Sequence, residues 1–507
     1  MLDISGKSKW WVAPALFAFS MAPTFISYQP YLFRWDDSDY LQRAIAASRA
    51  FWSGNFNGLI SAMVSLRPPA MTLLGLPWGP LASWDAAGKC FITLAAVISL
   101  LAALCLYLLL RIGVKPLFLV AASGCVVASL GPYPPGATAH ADATAFLADS
   151  LMAWTALAAV LLIPYEARSH CPSIRGAVAR GILWGGILSL GTMTKVTFLY
   201  FIVFIIPMLF FIRLRRSGLR SAMVAIIACT YCLAPTYAYW VLWGRPAIDH
   251  ARASSFGRVA DFYYVPLLQF LGSTFRESPG LALSGVLTSA VLVYVVIKRR
   301  FMPSWPDFLA LLIMMGFGIV VLAAPNREIR FAFPAIIGLP FLAGILMSGE
   351  GPTPARRGSA ALAAGLVFCG LLAAGVPTRD RANRQCLSRC DAVLAQAARC
   401  KAQRILLATD SPTLNQKLME LAIEVSASGA SVKVGSLANR AMSGVPIEAD
   451  FHTISESDQI IFQDRKALSP PFTNQRASEY ERYLRQIGHI PIRIGDDVSV
   501  YSMRCGT

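Results

Sequence analysis

Apolar runs long enough to cross a bilayer recur along most of this chain, and that recurrence restricts the fold more than any other feature. Inside hydrocarbon every backbone N–H and C=O must find a partner within the protein, so an apolar run of about 20 residues crosses as a helix. The runs fall near residues 10–28, 90–110, 116–138, 146–164, 181–194, 197–212, 221–243, 281–297, 307–324, 331–347 and 359–376. The expected fold is a polytopic α-helical membrane protein with about 11 transmembrane helices. Composition agrees: 14% of the 507 residues are charged, where a soluble chain carries about 25%.

A net charge of +17 first invites a nucleic-acid-binding reading, but the cations are in the wrong places for it. They sit between the apolar runs: Lys7 and Lys9, Arg111 and Lys115, Arg175 and Arg180, Arg213 to Arg220, Lys298 to Arg300, Arg356 and Arg357. With a cytoplasmic N-terminus, each of these groups falls on the cytoplasmic side, which is the positive-inside pattern. An odd number of spans then carries the C-terminus to the outer side. Lys195 interrupts the pair 181–194 and 197–212, and one long bent helix there would reverse the parity. The run 10–28 holds Pro14 and Pro23 and has no small-residue cleavage site after it, so it reads as a retained span rather than a signal peptide.

The outer loops are long, about 29–89 and 244–280, while the inner ones are short and basic. Leu41 to Phe51 mixes apolar residues with Gln42, Arg43 and Arg49, as expected of an amphipathic helix in the membrane interface or, alternatively, of an ordinary loop helix, with Gly58 to Leu66 a weaker one. After Pro377 the pattern changes, dividing the chain into a membrane part, 1–376, and a small α/β extracytoplasmic domain, 377–507. In that tail, Arg404 to Ala408 reads as a buried strand. Pro412 to Ala427 reads as a helix capped by Ser411, and Asn474 to Ile487 as another. Ser431 to Gly435, Gln459 to Phe462 and Pro491 to Ser502 read as further strands, the last a pair turning at Gly495-Asp496-Asp497. No Gly-rich phosphate loop interrupts the tail. Four of the 11 cysteines lie there, Cys386, Cys390, Cys400 and Cys505, and an even count on an oxidising side suggests disulfides whose pairing the sequence leaves open.

Charged and polar residues gather on the outer rim: Asp36, Asp37 and Asp39 beside Tyr40; Arg67; His140, Asp142 and Asp149; Lys195; His250; Arg327 and Arg330. Ionisable groups at a bilayer are costly unless used or paired, so the acidic trio marks a functional site. Carboxylates suit the deprotonation of a hydroxyl, and cations suit a phosphate. The alternatives are ordinary ones. Asp36 and Asp37 also suit a helix start, Lys195 and Arg330 suit interfacial anchoring, and His140 and His250 suit polar caps.

In order and side of the membrane these motifs resemble the GT-C superfamily of polyprenyl-phosphate-sugar glycosyltransferases, which includes protein O-mannosyltransferases and lipid A aminoarabinose transferases. The resemblance covers about residues 10–350. It rests on Asp36-Asp37 in the first outer loop, Arg67-Pro68-Pro69, Trp84 to Lys89, Gly191-Thr192-Met193-Thr194-Lys195-Val196-Thr197, and Arg327-Glu328-Ile329-Arg330-Phe331-Ala332-Phe333-Pro334. The chain departs from the pattern in having Asp39 before Tyr40, and Arg67 where the family often has Lys.

The resemblance implies a multi-pass enzyme of the bacterial inner membrane. It would move a sugar from a polyprenyl-phosphate carrier to a hydroxyl of an envelope glycan, lipid or protein, with inversion. Asp36 or Asp37 would be the base, and Arg67, Lys195, Arg327 and Arg330 would bind the donor phosphate. Asp149, ahead of Asp142, would be the second acidic site, and His140, Tyr40 and His250 would be acceptor-side residues. The residues demand no cofactor. A divalent cation, Mg or Mn, among Asp36, Asp37 and Asp149 stays open, because hard cations take carboxylate oxygens. The alternative is a transporter or flippase of lipid-linked sugars. That class more often shows internal repeats and charge at the membrane midplane, neither of which is seen here.

Overall fold

The computed structural model describes residues 35–81, 85–114, 148–169, 173–256, 304–323, 380–411, 414–425, 432–463 and 474–503 with short gaps, and scattered helical residues elsewhere. The expected spans 10–28, 116–138, 281–297 and 359–376 lie essentially outside the described residues, as do Asp142, His140, Arg327 and Arg330. Among the described residues, two helices are long and apolar enough to cross a membrane. They are Gly88–Ile112 (mean hydropathy 2.6) and Ala148–Arg168 (mean hydropathy 1.4).

The segment between the first two expected spans folds into α1 (Trp35–Trp52), α2 (Phe56–Met63) and the single turn α3 (Ala70–Leu73). Asn55 caps α2 by accepting from the Gly58 N–H at 2.9 Å. The helical region follows as α4 (Asp85–Ile112), α5 (Ala148–Arg168), α6 (Ile174–Thr194), α7 (Phe198–Trp243), α8 (Arg245–Phe256) and α9 (Trp305–Ala323). All but the last residue of α5 is buried, and α4, α6, α7 and α9 pack around it.

Lys195 separates α6 from α7 instead of lying inside one bent helix: it is extended, at φ −148° and ψ 140°. Gly218 then reverses the chain within α7, at φ 81°, where a side chain would be strained. Gly181 meets Ala225, Gly185 meets Cys229 and Cys232, and Ser189 bonds the Cys232 carbonyl at 3.0 Å. This rising register makes α6 parallel to the second half of α7, with the first half folded back between two reversals. A Cβ on Gly185 would stand 2.7 Å from the Cys229 carbonyl oxygen, so glycine is what lets the backbones approach. Close packing of this small-x-x-x-small kind drives association where lipid removes the hydrophobic gain.

One end of the helices is clasped by charge. Glu166, buried near the end of α5, takes Arg180 of α6 at 2.9 Å and Arg213 of α7 at 3.0 Å. Arg213 also donates to the Ser221 hydroxyl at 3.0 Å, which ties it across the Gly218 reversal. Arg168 grips Asp307 of α9 in a two-pronged pair at 2.7 and 2.6 Å.

The C-terminal region is α10 (Asp380–Arg399), β1 (Arg404–Leu407), α11 (Gln416–Val425), β2 (Lys433–Ser436), α12 (Ile447–Ser455), β3 (Gln459–Gln463), α13 (Ala477–Gln486), β4 (Ile492–Ile494) and β5 (Val498–Ser502). The strands form one sheet in the order β2-β1-β3-β5-β4, parallel across the first three and antiparallel beyond. The expected strands are present, while α10 and α12 are additions.

Two expected helix starts move. Ser411 does not cap α11: its hydroxyl is engaged by Gln463 and by the Leu414 N–H, and Asn415 takes over by accepting from Leu418 N–H at 2.9 Å. Asn474 stays outside α13 at φ 63°, its amide pinned to the Asp410 backbone at 2.7 and 2.9 Å. Cys90, Cys105 and Cys229 are buried free thiols, and Cys390 is buried. The side chains of Cys386 and Cys505 lie outside the described residues.

The expected interfacial helix is also placed differently. Tyr40, Leu41, Ala44 and Ile45 of α1 are buried under protein, against α3, α4 and α11, rather than in lipid. Only the far end, Phe51 and Trp52, stays exposed. The amphipathic pattern was a core-facing stripe whose partner lies some 380 residues downstream.

Replacing Glu166 with Gln leaves Arg213 as a buried charge short of its counter-ion, a class of change that costs about 3–5 kcal/mol. Glu166→Gln is expected to lower the thermal unfolding temperature of the purified protein by many degrees. An unchanged unfolding curve in detergent would contradict the clasp.

Candidate active site

The site is built where α1, the segment following α2, the α6–α7 turn and α11 meet. Asp36 and Asp37 lie in the first turn of α1, and their side chains lie outside the described residues. Asp39 and Tyr40, next along the helix, are buried.

Arg67 is held by a short turn: the Arg67 N–H donates to the Ser65 hydroxyl at 3.0 Å, and that hydroxyl donates to the Arg67 carbonyl at 2.7 Å. Pro68 and Pro69 then stop further helix until α3. The guanidinium so placed lies over the Tyr40 ring, 5.2 Å from its centre, with Nε 3.5 Å from Asp39 Oδ2. Arg43, one helical turn beyond Asp39, donates to the same oxygen at 3.3 Å. Lys417 of α11 stands 3.7 Å from the other oxygen, Oδ1. One carboxylate thus serves three cations.

A second couple forms beside it. Lys195 follows the last residue of α6, where Thr192 and Thr194 return their hydroxyls to the carbonyls of Leu188 and Leu190. Its backbone N–H donates to the Gly191 carbonyl at 3.1 Å, and its Nζ bonds Asp149 Oδ1 in the first turn of α5. Met63, four residues ahead of Arg67, packs in one cluster with Met193, Val196, Leu199, Tyr239 and Trp240. The Tyr239 hydroxyl donates to the Met63 carbonyl at 3.2 Å. These contacts bring the chain on either side of Lys195 to the loop that carries Arg67.

The C-terminal region closes one side. Arg49 of α1 reaches Glu424 of α11 at 3.3 Å and the Leu81 carbonyl at 2.6 Å. Burial pushes the Glu424 carboxyl above its usual range, and Arg49 pulls it back.

The structure therefore joins Asp39, Tyr40 and Arg67 in one cluster and pairs Lys195 with Asp149. It places His250 on the exposed surface of α8. Among the described residues no group of three or more His, Cys, Asp or Glu side chains could hold a metal ion. Asp149, expected as a second acidic site, is the counter-ion of Lys195. Sequence reasoning missed Arg43 and Lys417. The spacing of Asp39 and Arg43 is a helical-pair signal that could have found the first, while no local signal marks the second.

The fold is shared with solved structures of two proteins that bind polyprenyl phosphates. Among solved structures it matches ArnT from Cupriavidus metallidurans bound to undecaprenyl phosphate, with a TM-score of 0.51 over 98% of both chains at 10% identity. The archaeal oligosaccharyltransferase AglB from Archaeoglobus fulgidus, in complex with an inhibitory peptide and a dolichol-phosphate, matches with a TM-score of 0.50. That match covers 90% of this chain and 70% of AglB at 13% identity. No family model and no curated protein sequence matches the chain.

Asp39→Ala removes the shared counter-ion of Arg43, Arg67 and Lys417. It is expected to destabilise the protein by about 1–3 kcal/mol, more than the roughly 0–1 kcal/mol of an exposed pair. Thermal unfolding of Asp39→Ala beside Arg245→Ala, which breaks an exposed pair on α8, checks this. Equal stability of the two would refute the hub.

Proposed function

We propose that the protein is an integral membrane glycosyltransferase that takes a sugar from a polyprenyl-phosphate carrier and places it on a hydroxyl of an envelope glycan, lipid or protein at the outer face of the cell membrane. The observation that carries this reading is the fold shared with ArnT and AglB, with Asp39 paired to Arg67 and Lys195 paired to Asp149. The carrier class is supported by the polyprenyl phosphates bound to ArnT and AglB.

In the proposed reaction Asp36 or Asp37 accepts the proton of the acceptor hydroxyl as its oxygen attacks the anomeric carbon. The bond from that carbon to the phosphate oxygen breaks, and its electron pair leaves with the polyprenyl phosphate. Direct displacement inverts the anomeric centre. Arg67 and Lys195 stabilise the charge gathering on the phosphate, with Arg327 and Arg330 as further donor-binding residues. Arg67 offers a fork that matches phosphate geometry, and Lys195 a point charge. Both already rest on internal carboxylates, so phosphate exchanges with carboxylate oxygen instead of meeting bare cations. The flippase alternative finds less support: α5 carries no charge between Asp149 and Glu166.

We place the N-terminus in the cytoplasm and the tail, residues 377–507, outside, with 1–376 as the catalytic membrane part. The contact of α11 with α1 supports a shared side for tail and first loop. The Glu166 clasp sits with the basic inner loops at the other end of the helices. An outer tail would form a disulfide, and Cys400 with Cys505 is the pair we propose. Cys400 Sγ lies 3.8 Å from the Ser502 hydroxyl, three residues before Cys505 in sequence.

Two experiments test these readings. Asp36→Ala and Asp37→Ala, expressed and inserted normally, should each lower transfer of a labelled sugar from polyprenyl phosphate by at least about a hundredfold, the usual weight of a general base. Full activity in both would end the mechanism. Peptide mapping of membranes quenched under non-reducing conditions should recover Cys400 linked to Cys505. Recovery of both as free thiols would count against the bond and the outer location together.

A further inference from the structure

The outer cluster contains one group that the reaction above does not use and that the membrane part does not supply. Lys417 comes from α11, in the C-terminal region, yet its Nζ stands 3.7 Å from Asp39 Oδ1. It does not drift there. Glu420, one turn on, takes the same ammonium at 2.9 Å, and Gln416 donates to the other Glu420 oxygen at 2.9 Å. A second cross-contact, Arg49 with Glu424 at 3.3 Å, seats the far end of α11 on α1. Both helix ends are therefore fixed, and Lys417 is aimed.

The division of Asp39 between its partners gives Lys417 a task. Oδ2 faces Arg43 and Arg67, at 3.3 and 3.5 Å, while Oδ1 faces Lys417. With Lys417 drawing on Oδ1, the Arg67 Nε contact is with the other oxygen, Oδ2. Without it, both oxygens are open to the Arg67 fork, which binds a carboxylate best through two parallel N–H bonds. Arg67 would then be held more tightly by Asp39 and less ready for another anion.

We propose that Lys417 is a positioning residue for Arg67: it holds the far oxygen of Asp39, so that docking of the C-terminal region sets the readiness of Arg67 for an incoming phosphate. The proposal rests on the reading of this site as the one that takes a polyprenyl phosphate. It adds that the tail tunes the affinity of that site from outside the membrane part.

The test uses the purified full-length chain in detergent, with undecaprenyl phosphate as the probe for binding and phenylglyoxal as the probe for Arg67, read by mass spectrometry of the labelled peptide. Lys417→Gln is expected to weaken undecaprenyl phosphate about tenfold, the size of one charge-assisted contact, and to slow labelling of Arg67. Lys417→Arg should restore both to within about twofold, which a loss of packing alone would not allow. In an Asp39→Asn background, Lys417→Gln should have little further effect on either readout, because the two act through one contact.

Unchanged labelling of Arg67 in Lys417→Gln overturns the proposal. So does an equal loss of binding with and without Asp39, which would mean that Lys417 touches the phosphate itself. If the wild-type chain does not bind undecaprenyl phosphate, the functional reading fails, and the labelling of Arg67 alone then decides whether Lys417 positions it.

Discussion

The helical part of this protein is organised by one buried helix with a carboxylate near each end. Asp149 opens α5 and Glu166 nearly closes it, and α6 answers both, with Arg180 at one end and Lys195 at the other. From Asp149 to Glu166 the helix rises about 26 Å, close to the thickness of the hydrocarbon core. Between them α5 is apolar, so its neighbours gain packing but little direction from it. The two ion pairs supply the direction: sliding α6 by one turn would strand a charge at each end. The same pairs divide the labour of the molecule. The Glu166 end is fully satisfied and serves as a clasp, while the Asp149 end meets the loop that carries Arg67.

The fold was legible wherever the signal was local. Apolar runs placed α4, α5 and both halves of α7; short apolar stretches placed β1 and β3, and the Gly495-Asp496-Asp497 turn placed the hairpin of β4 and β5. The turn at Lys195 was legible as a break between two spans, with one long bent helix as the alternative. What decides between them is the approach of Gly185 to Cys229, a contact between segments that only packing brings together. Ser411 was a fair choice of cap by composition, but its hydroxyl had a better offer from Gln463, on another strand. Non-local partners explain most of the errors.

The candidate site divides in the same way. Asp39 was read as one of an acidic trio, and one of its cations, Lys417, comes from α11, which no pattern near residue 39 could announce. The amphipathic stripe of α1 was read correctly as apolar and assigned to the wrong neighbour, since lipid and a distant helix ask for the same residues. Arg67 and Lys195 were chosen as cations for a phosphate. Each has a resident carboxylate, so the site keeps its charges paired at rest and its geometry fixed before any ligand arrives.

The contact of Arg49 with Glu424 joins residues 375 positions apart in the chain. A ribosome must therefore have passed residue 424 before the Asp39 cluster can close. Helices such as α4 and α5 can form and pair early, because their partners are near in sequence, whereas contacts of this span come late. Assembly of the site thus becomes a proofreading step of biogenesis: a chain that stops short, or whose last quarter fails to fold, carries every proposed catalytic residue and still lacks the finished arrangement.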